Sequence, residues 1–479
     1  MLSLSKSASA GSKIAGILAA GTVPSLYAAG ANERIRLALL GCGGRGTDTI
    51  LNCIRLNKGV SITRVCDVNT TKLASVAKRV AAGNRAAGVA GAGAAPAAST
   101  RMEDVFADTG VDAVWVSTPE HWHTLASIYA LRAGKHVYVE KNLSVNIWEG
   151  RQLVRAAREH RRVVQVGYQN RSAPYGFAAR DYIAAGKLGS IVTVKCYGLL
   201  GGGKVKRTPD RAAPPAYLGA EGWDRWLGPA PARKFNSAIV SEHGRGGWNY
   251  FWAYSGGNLA DDSSHVFDLA RLALGDPAHP RAVYAVGGNR VFGGESETPE
   301  VISVVFDFGQ FSLSCDTTAA GNGYMTKTPR EIRFDPKRFP TWRNNLSRIE
   351  IYGTKGMMYL GRHGGGWQVL GAGNKIVEQC PGRFPDDEHQ TNFIAALRGT
   401  AKPNGDVEQG HLSSCMVHLA NIAHRTGNHH LVFDAATEQF TAATAAGDAT
   451  GSESEILAAA NRLARGTHRK GYEVPEYAA

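Results

Sequence analysis

The sequence predicts an α/β N-terminal domain built on a doubly wound parallel sheet. An α+β C-terminal domain with an open, mostly antiparallel sheet follows it. Three observations predict this. Between residues 34 and 170, short apolar runs alternate with segments of helical periodicity, the pattern of parallel strands joined by crossover helices. The first apolar run, Ile35 to Leu40, leads directly into Gly41-Cys42-Gly43-Gly44-Arg45-Gly46. Beyond about residue 170 the apolar runs succeed one another without long intervening helices, as antiparallel strands do.

Each element can be justified in turn. After the glycine run, Ile50, Leu51, Ile54 and Leu56 fall at helical spacing. A G-x-G-x-x-G run between strand and helix is the turn that binds a dinucleotide. Gly41 permits the tight turn, Gly43 lets the backbone approach a pyrophosphate, and Gly46 lets helix and strand pack closely. The helix N-terminus offers free N–H groups and a positive dipole end to phosphates. Residues 61–69 read as a second strand ending at Asp67, 21 residues after Gly46. A carboxylate there accepts hydrogen bonds from a ribose diol and repels a 2′-phosphate, which favours NAD over NADP. The alternative is a glycine turn of some other α/β protein, with Asp67 a solvated strand end.

Residues 71–82 are expected to be helical, and the Ala/Gly-rich stretch 83–99 to be a flexible surface insertion. Strand 112–119 ends at Thr118-Pro119, helix 123–134 stops at Gly134, and strand 135–142 ends at Glu140-Lys141. Helix 146–160 and strand 161–170 complete the series. Ligands of such sheets sit at the carboxyl ends of the strands. The candidate cofactor-binding residues are therefore Gly41, Gly43, Gly44, Arg45, Gly46, Asp67, Thr118, Pro119, His121, Glu140 and Lys141. In the C-terminal half, strands are expected at 190–200, 281–292, 301–308, 311–318, 348–360 and 367–373. Helices are expected at 257–275, 389–400 and 411–427, and a loop at 441–455. One face of that sheet should rest on helices, leaving the other for substrate or a partner subunit.

Composition narrows the class. With 43% hydrophobic and 20% charged residues, 479 residues can bury a sizeable core and make two domains or three. The net charge of +13 is scattered, with no long Lys/Arg run, which suits attraction of an anionic cofactor or substrate better than a nucleic-acid surface. Seven cysteines without a C-x-x-C predict neither a disulfide framework nor a zinc site. Lys6 and Lys13 precede an apolar stretch, Ile14 to Ala29, closed by Ala29-Gly30-Ala31. This reads as a signal peptide or a disordered leader, and Pro24 breaks it as a membrane span. The location is then periplasmic if the leader is a signal and cytoplasmic otherwise. The expected division is a leader over 1–31, a cofactor domain over 32–165 and a substrate and oligomerisation domain over 166–479.

The reactive candidates are few. Lys141 closes a strand beside the cofactor site, where an ammonium can hydrogen-bond a substrate hydroxyl; it also reads as a solvent-facing lysine. Asp261 and His265 are four apart on a predicted helix and share a face, with Asp268 one turn on. His265 has the ordinary pKa to accept a proton near neutrality, and Asp261 can hold it or a neighbouring hydroxyl. A surface Asp–His pair is the alternative, and no third ligand for a metal is evident. His121 and His123 line the cofactor edge or cap the following helix. The aromatic group Trp223, Trp226, Trp248, Tyr250, Phe251 and Trp252 suits either sugar stacking or core packing.

The ordered set Gly41–Gly46, Asp67, Thr118-Pro119-Glu120-His121, Glu140-Lys141-Asn142 and Gly256-Gly257-x-Leu259-x-Asp261-x-x-x-His265-x-x-Asp268 resembles the glucose–fructose oxidoreductase/inositol dehydrogenase/rhizopine-catabolism (Gfo/Idh/MocA) family. Trp226-Leu-Gly-Pro-Ala and Ile351-Tyr-Gly-Thr-Lys-Gly356 resemble its exported bacterial subgroup. The resemblance covers about residues 33–475. It implies an N-terminal Rossmann domain, bound NAD or NADP, a sugar, cyclitol or related polyol as substrate, and a dimer or tetramer formed through the open sheet; the sequence itself, with no later run of about 20 apolar residues and no Lys/Arg run, predicts no membrane span and indicates no nucleic-acid partner. It also implies that Lys141, Asp261 and His265 carry the chemistry: His265 takes the hydroxyl proton, Lys141 polarises the oxygen, and a hydride passes to the nicotinamide. Some relatives of this fold are instead NAD-dependent glycoside hydrolases or lyases with a captive cofactor, and a non-catalytic cofactor-binding paralogue is a third reading. Two positions depart from the family. Asn142 replaces a proline whose rigid turn aims the lysine, and Ser263 replaces a glycine and adds a side chain near the site. No Arg-Arg precedes the leader's apolar stretch, as the subgroup's twin-arginine signal would require.

Overall fold

The computed structural model describes residues 34–88, 95–198, 210, 213–240, 247–294, 296–318, 328–442 and 451–478. The leader lies outside them. Six strands form the first sheet: β1 (Ile35–Leu40), β2 (Val60–Cys66), β3 (Ala97–Ser99), β4 (Ala113–Val116), β5 (His136–Val139) and β6 (Val164–Val166). They are parallel and run in the order β3-β2-β1-β4-β5-β6. The order reverses between β1 and β4, and that switch point is where a doubly wound sheet opens a crevice at its carboxyl edge. β4 and β5 are buried along their whole length, because helices cover both faces. The helices are α1 (Gly44–Leu56), α2 (Thr70–Ala86), α3 (Met102–Phe106), α4 (His123–Arg132) and α5 (Ile147–Glu159).

Alternation along the strands sorts the side chains between two cores. Leu37, Leu39, Trp115 and Tyr138 face Ile50 and Ile54 of α1 and Val76 and Val80 of α2. Ala38, Leu40, Val114, Val116, Val137 and Val139 face Leu125 and Ile128 of α4 and Leu153 of α5. Trp115 and Tyr138 stack at 3.7 Å between ring centroids.

Past β6 the chain forms α6 (Pro174–Ala184), β7 (Ile191–Gly198), α7 (Gly219–Leu227), a π-helical turn at Leu259–Ser263 and α8 (Ser264–Ala273). It continues with β8 (Ala282–Gly288), β9 (Val301–Asp307), β10 (Ser312–Thr318), α9 (Arg330–Phe334), β11 (Ser347–Gly353), β12 (Gly356–Gly361), β13 (Trp367–Leu370) and β14 (Ile376–Cys380). The chain ends with α10 (Asp386–Leu397), α11 (Val407–Arg425), β15 (Leu431–Asp434), β16 (Gln439–Thr441) and α12 (Gly451–Arg465). The second sheet runs β14-β13-β12-β11-β7-β10-β9-β8-β15-β16, with β7 and β10 parallel and its other described pairs antiparallel. Its inner face packs on α6, α8 and α11 through Val194, Leu313, Ile349, Phe267, Leu269 and Val417. Its outer face leaves Val192, Tyr284, Val286 and Val305 exposed.

The structure differs from expectation in four places. α2 runs on to Ala86, and Ala97–Ser99 joins the sheet at its edge, so the stretch 83–99 is not a surface insertion throughout; residues 89–94 lie outside the described part. The pairing is made by backbone, so small side chains suffice. The stretch 441–455 contains the start of α12, which packs Ala460 and Ala464 into the second core. The segment 348–360 is a hairpin of two strands rather than one. α10 does not stay with the second sheet. Its Phe393, Ile394 and Leu397 pack on the α1 side of the first, so chain from the C-terminal half completes the N-terminal layer. The seven cysteines are all unbridged. Among the described residues no helix is long and apolar enough to cross a membrane.

Candidate active site

A cleft of about 1330 Å³ opens at the switch point between β1 and β4 and runs to the near end of the second sheet. Its first wall is the glycine turn. Gly41 has φ +89°, and a Cβ there would sit 2.5 Å from Ser117 O. A Cβ on Gly46 would lie 2.6 Å from Ser117 Cβ and 2.8 Å from Gly41 O. These glycines let α1 and β1 press against the end of β4. Gly43 and Gly44 differ: a Cβ at either meets nothing within 4 Å, and both line the cleft. α1 begins at Gly44 with no side-chain cap on its N-terminus. Its first N–H groups are thus left for a ligand. One pair of substitutions separates the two roles. Gly46→Ala should cost about 1–3 kcal/mol by overpacking, read in thermal unfolding. Gly43→Ala should unfold like the parent protein and lose dinucleotide affinity in a titration. Equal stability of both variants would contradict the assignment.

Asp67 reaches back over this turn. Its Oδ2 accepts the Cys42 N–H at 2.7 Å, and its Oδ1 accepts the Asn69 N–H at 2.7 Å. Burial pushes its pKa up, and those two N–H groups oppose the shift. Each carboxylate oxygen keeps a lone pair for a diol. Arg45 turns sideways from α1. Its Nε meets Glu140 Oε1 at 3.2 Å and its Nη2 meets Asp386 Oδ1 at 3.0 Å, fastening α1 to α10. Thr118 and Pro119 line the cleft. The buried hydroxyls of Ser117 and Thr118 have no hydrogen-bond partner. Unfilled N–H groups, open glycines and unpartnered hydroxyls along one wall fit a bound dinucleotide.

His121 is a correction. It does not line the cleft. Nε2 meets Trp226 O at 2.9 Å, and the ring lies among Trp226 and Tyr254 at 5.1 and 5.0 Å. Burial pushes it down to about 3, so it stays neutral. His123 holds the place that the pair suggested. Its Nδ1 lies 2.5 Å from Asn142 O and its Nε2 lies 2.8 Å from Thr118 O, tying together the chain ends after β4 and β5. The aromatic group is chiefly core, with Trp223, Trp226, Tyr250 and Phe251 packed together, although Trp226 and Trp248 also touch the cleft.

The second wall is the π-helical turn. In a π-turn the backbone ladder slips, which frees carbonyls for other donors. Ala260 O accepts Lys141 Nζ at 3.0 Å, Asn142 Nδ2 at 2.9 Å and Ser264 Oγ at 3.0 Å. Lys141 Nζ also donates to Asp261 O at 2.6 Å and lies 3.6 Å from Asp261 Oδ1. Lys141, Asp261 and His265 thus come to one wall. Asn142 does not loosen the lysine. The Asn142 side chain donates to Ala260 O at 2.9 Å and accepts from the Tyr168 hydroxyl at 3.0 Å. Ser263 points away from the cleft to Thr317 Oγ1 at 2.7 Å.

His265 departs from its expected pKa. Burial, then the charges of Arg362 and Lys141, hold it well below the usual imidazole value. It is neutral at pH 7, and its Nδ1 has no partner. Asp268 is not on the cleft wall. It turns inward to Arg171 Nε at 2.6 Å, because three residues along α8 carry it about 60° round the helix from His265. Sequence reasoning missed Arg333, Arg362, His363 and Phe384, which close the far end. The one signal for them is Gly364-Gly365-Gly366, all at positive φ, a turn only glycines make readily; a Cβ on Gly366 would lie 1.8 Å from Cys380 O.

Away from the cleft, His279, His411, Cys415 and Glu438 converge. Glu438 Oε1 lies 2.8 Å from both His279 Nε2 and His411 Nε2 and 2.7 Å from Arg151 Nη2. This carboxylate already serves two imidazoles and a guanidinium, and a hydrogen-bonded network accounts for the cluster.

Two family models match the chain. One, described as "Oxidoreductase family, NAD-binding Rossmann fold", covers residues 35–168. The other, described as "GFO/IDH/MocA C-terminal domain", covers residues 231–359. The chain belongs to the Gfo/Idh/MocA oxidoreductase family. It is 38% identical over 98 residues to a 1,5-anhydro-D-fructose reductase of Ensifer adhaerens, covering 20% of this chain and 29% of that one. It is 33% identical over 133 residues to a glycosyl hydrolase family 109 protein of Saccharopolyspora erythraea, covering 28% of each. These matches span under a third of each relative. An aldose-aldose oxidoreductase from Caulobacter crescentus, solved with glycerol, shares the fold at TM-score 0.60 and 18% identity, over 84% of this chain and all of that one.

Proposed function

We propose that the protein is a nicotinamide-dependent oxidoreductase acting on a hydroxyl-bearing carbon of a sugar, cyclitol or related polyol. The observation that carries the reading is the meeting of Lys141, Asp261 and His265 on the wall of the cleft that begins at the glycine turn. Gly43, Gly44 and the α1 N-terminus would hold the pyrophosphate, and Asp67 the ribose hydroxyls. Asp67 supports NAD over NADP, since its carboxylate would face a 2′-phosphate. Bound nicotinamide supplies a hydride acceptor at the substrate carbon. Lys141 keeps an N–H for the substrate oxygen and stabilises negative charge there. His265, held neutral, is in the form that accepts the hydroxyl proton. Asp261 orients the ammonium and offers an acceptor to an adjacent hydroxyl.

A second reading has its own support in the glycosyl hydrolase relative: transient oxidation, elimination of the glycosidic alcohol, addition of water to the resulting double bond, and return of the hydride to the sugar. The cofactor would then stay captive. The test is protein purified without added cofactor, denatured and assayed for released NAD(H) and NADP(H), beside intact protein given NAD and a panel of sugars and cyclitols. Net NAD reduction with a panel member supports the dehydrogenase. Stoichiometric captive nicotinamide without net reduction, and cleavage of a nitrophenyl glycoside, supports the hydrolase. Protein that neither contains nor binds nicotinamide contradicts both. The exposed Val192, Tyr284, Val286 and Val305 support a homo-oligomer, and the composition of residues 1–31 supports an exported form.

A further inference from the structure

Arg362 enters the far end of the cleft directly after β12, held by the glycine turn that follows it. It is 5% exposed, and its Nε and Nη1 have no hydrogen-bond partner. The facing carboxylate is Asp262, whose Oδ1 lies 3.8 Å from Nε, beyond hydrogen-bond distance. That oxygen also faces His363 Nε2 at 3.6 Å, and the other oxygen of Asp262 accepts from Ser347 Oγ. Arg333 comes to the same end from α9, and its buried Nε likewise has no partner. The two guanidiniums share the Phe384 ring, with Cζ at 4.2 Å for Arg333 and 5.0 Å for Arg362.

We propose that Arg362, with Arg333, forms an anion subsite at the substrate end of the cleft, and that the sugar or polyol acted on carries a carboxylate or phosphate group. The inference rests on the oxidoreductase reading for its placing of substrate beside His265. A guanidinium has donors and no acceptor, so hydroxyl groups satisfy it only weakly. Asp262 offsets the charge at ion-pair distance but leaves the Arg362 Nε and Nη1 without a hydrogen-bond acceptor. An anion presenting paired oxygens supplies charge-assisted bonds that the fork is shaped to receive. The charges around the subsite agree. Burial lowers Arg362, and burial followed by the Arg362 charge pushes Arg333 down to about 10. Arg45, another arginine on the cleft, is committed to Glu140 and Asp386. The N-terminus of α1 and the unpartnered hydroxyls of Ser117 and Thr118 suit the cofactor's phosphates.

The test uses the full chain saturated with NAD. D-Glucuronate and D-gluconate are compared with D-glucose and D-sorbitol, by calorimetric binding and by nicotinamide reduction, in the parent protein, Arg362→Gln and Arg333→Gln. Inorganic phosphate is titrated as a separate arm. The expected result is a preference for the acids of at least about tenfold in Kd or kcat/KM, collapsing in Arg362→Gln and shrinking in Arg333→Gln. Arginine-dependent phosphate binding that excludes the acids would assign the subsite to a phosphate ester, and failure of phosphate to compete would assign it to a carboxylate. Binding of acids that depends on Arg362 without any turnover would support the subsite and contradict the oxidoreductase reading. Neutral sugars used as well as acids, or an acid preference unchanged in Arg362→Gln, would overturn the subsite and leave that reading standing.

Discussion

Lys141→Ala should lower kcat/KM by about 100-fold or more while leaving NAD affinity close to that of the parent protein. The size follows from removing a positioned hydrogen-bond donor that stabilises charge on the reacting oxygen, a role generally worth about 100- to 1,000-fold. The confinement to chemistry follows from the local bonds. Lys141 Nζ shares the Ala260 carbonyl with Asn142 Nδ2 and Ser264 Oγ. Those two donors remain in the variant, so the π-turn keeps its partners and His265 its place. The glycine turn and Asp67 make no contact with the ammonium. Steady-state kinetics beside an NAD titration would show the split. A variant that turns over near the parent rate would remove Lys141 from the chemistry. One that loses NAD affinity in equal measure would make it a cofactor anchor instead.

The parts of this protein that could be read from its sequence share a physical cause. β4 is buried on both faces and β1 and β5 nearly so, which makes their sequences almost wholly apolar apart from Arg36 and His136, and the glycines between β1 and α1 have few other uses in that position. β3 was hidden because an edge strand of Ala97, Ala98 and Ser99 pairs through its backbone and needs no apolar side chain. α12 was hidden behind a run of Gly, Thr and Ser. In the site, Lys141, Asp261 and His265 lie on local motifs, and local motifs survive in one dimension. Arg333, Arg362 and Phe384 do not, since three separate segments bring them together. His121 failed for a different reason. Two histidines flank Trp122, and which of them faces the cleft depends on the short helical turn between β4 and α4. The Asp261-His265-Asp268 spacing promised one face, but Asp268 lies about 60° round α8 from His265 and meets Arg171 in the interior.

That division sets the last prediction. Asp268→Ala should destabilise the protein by about 3–5 kcal/mol, the usual loss when one partner of a buried ion pair is removed. Arg171 and Asp268 are each 1% exposed at the side chain. The Asp268 Oδ1 that meets Arg171 also accepts Ser413 Oγ at 2.8 Å, joining α8 to α11. Arg271, fully buried nearby, is held by Pro277 O, Gln409 and Ser413 Oγ instead. Without Asp268, Arg171 retains only Asp276, at 2.8 Å on its other edge, and its Nε is left buried without an acceptor. The cost is thus mainly that of a stranded charge. Replacing both members, as Arg171→Met with Asp268→Leu, should recover part of the loss in equilibrium unfolding by urea, because the guanidinium that lost its partner is then gone. Cofactor affinity per folded molecule should change little in Asp268→Ala, whereas turnover should fall with any shift of α8, which carries His265. A small change in unfolding free energy with a large loss of substrate affinity would place Asp268 in the cleft after all.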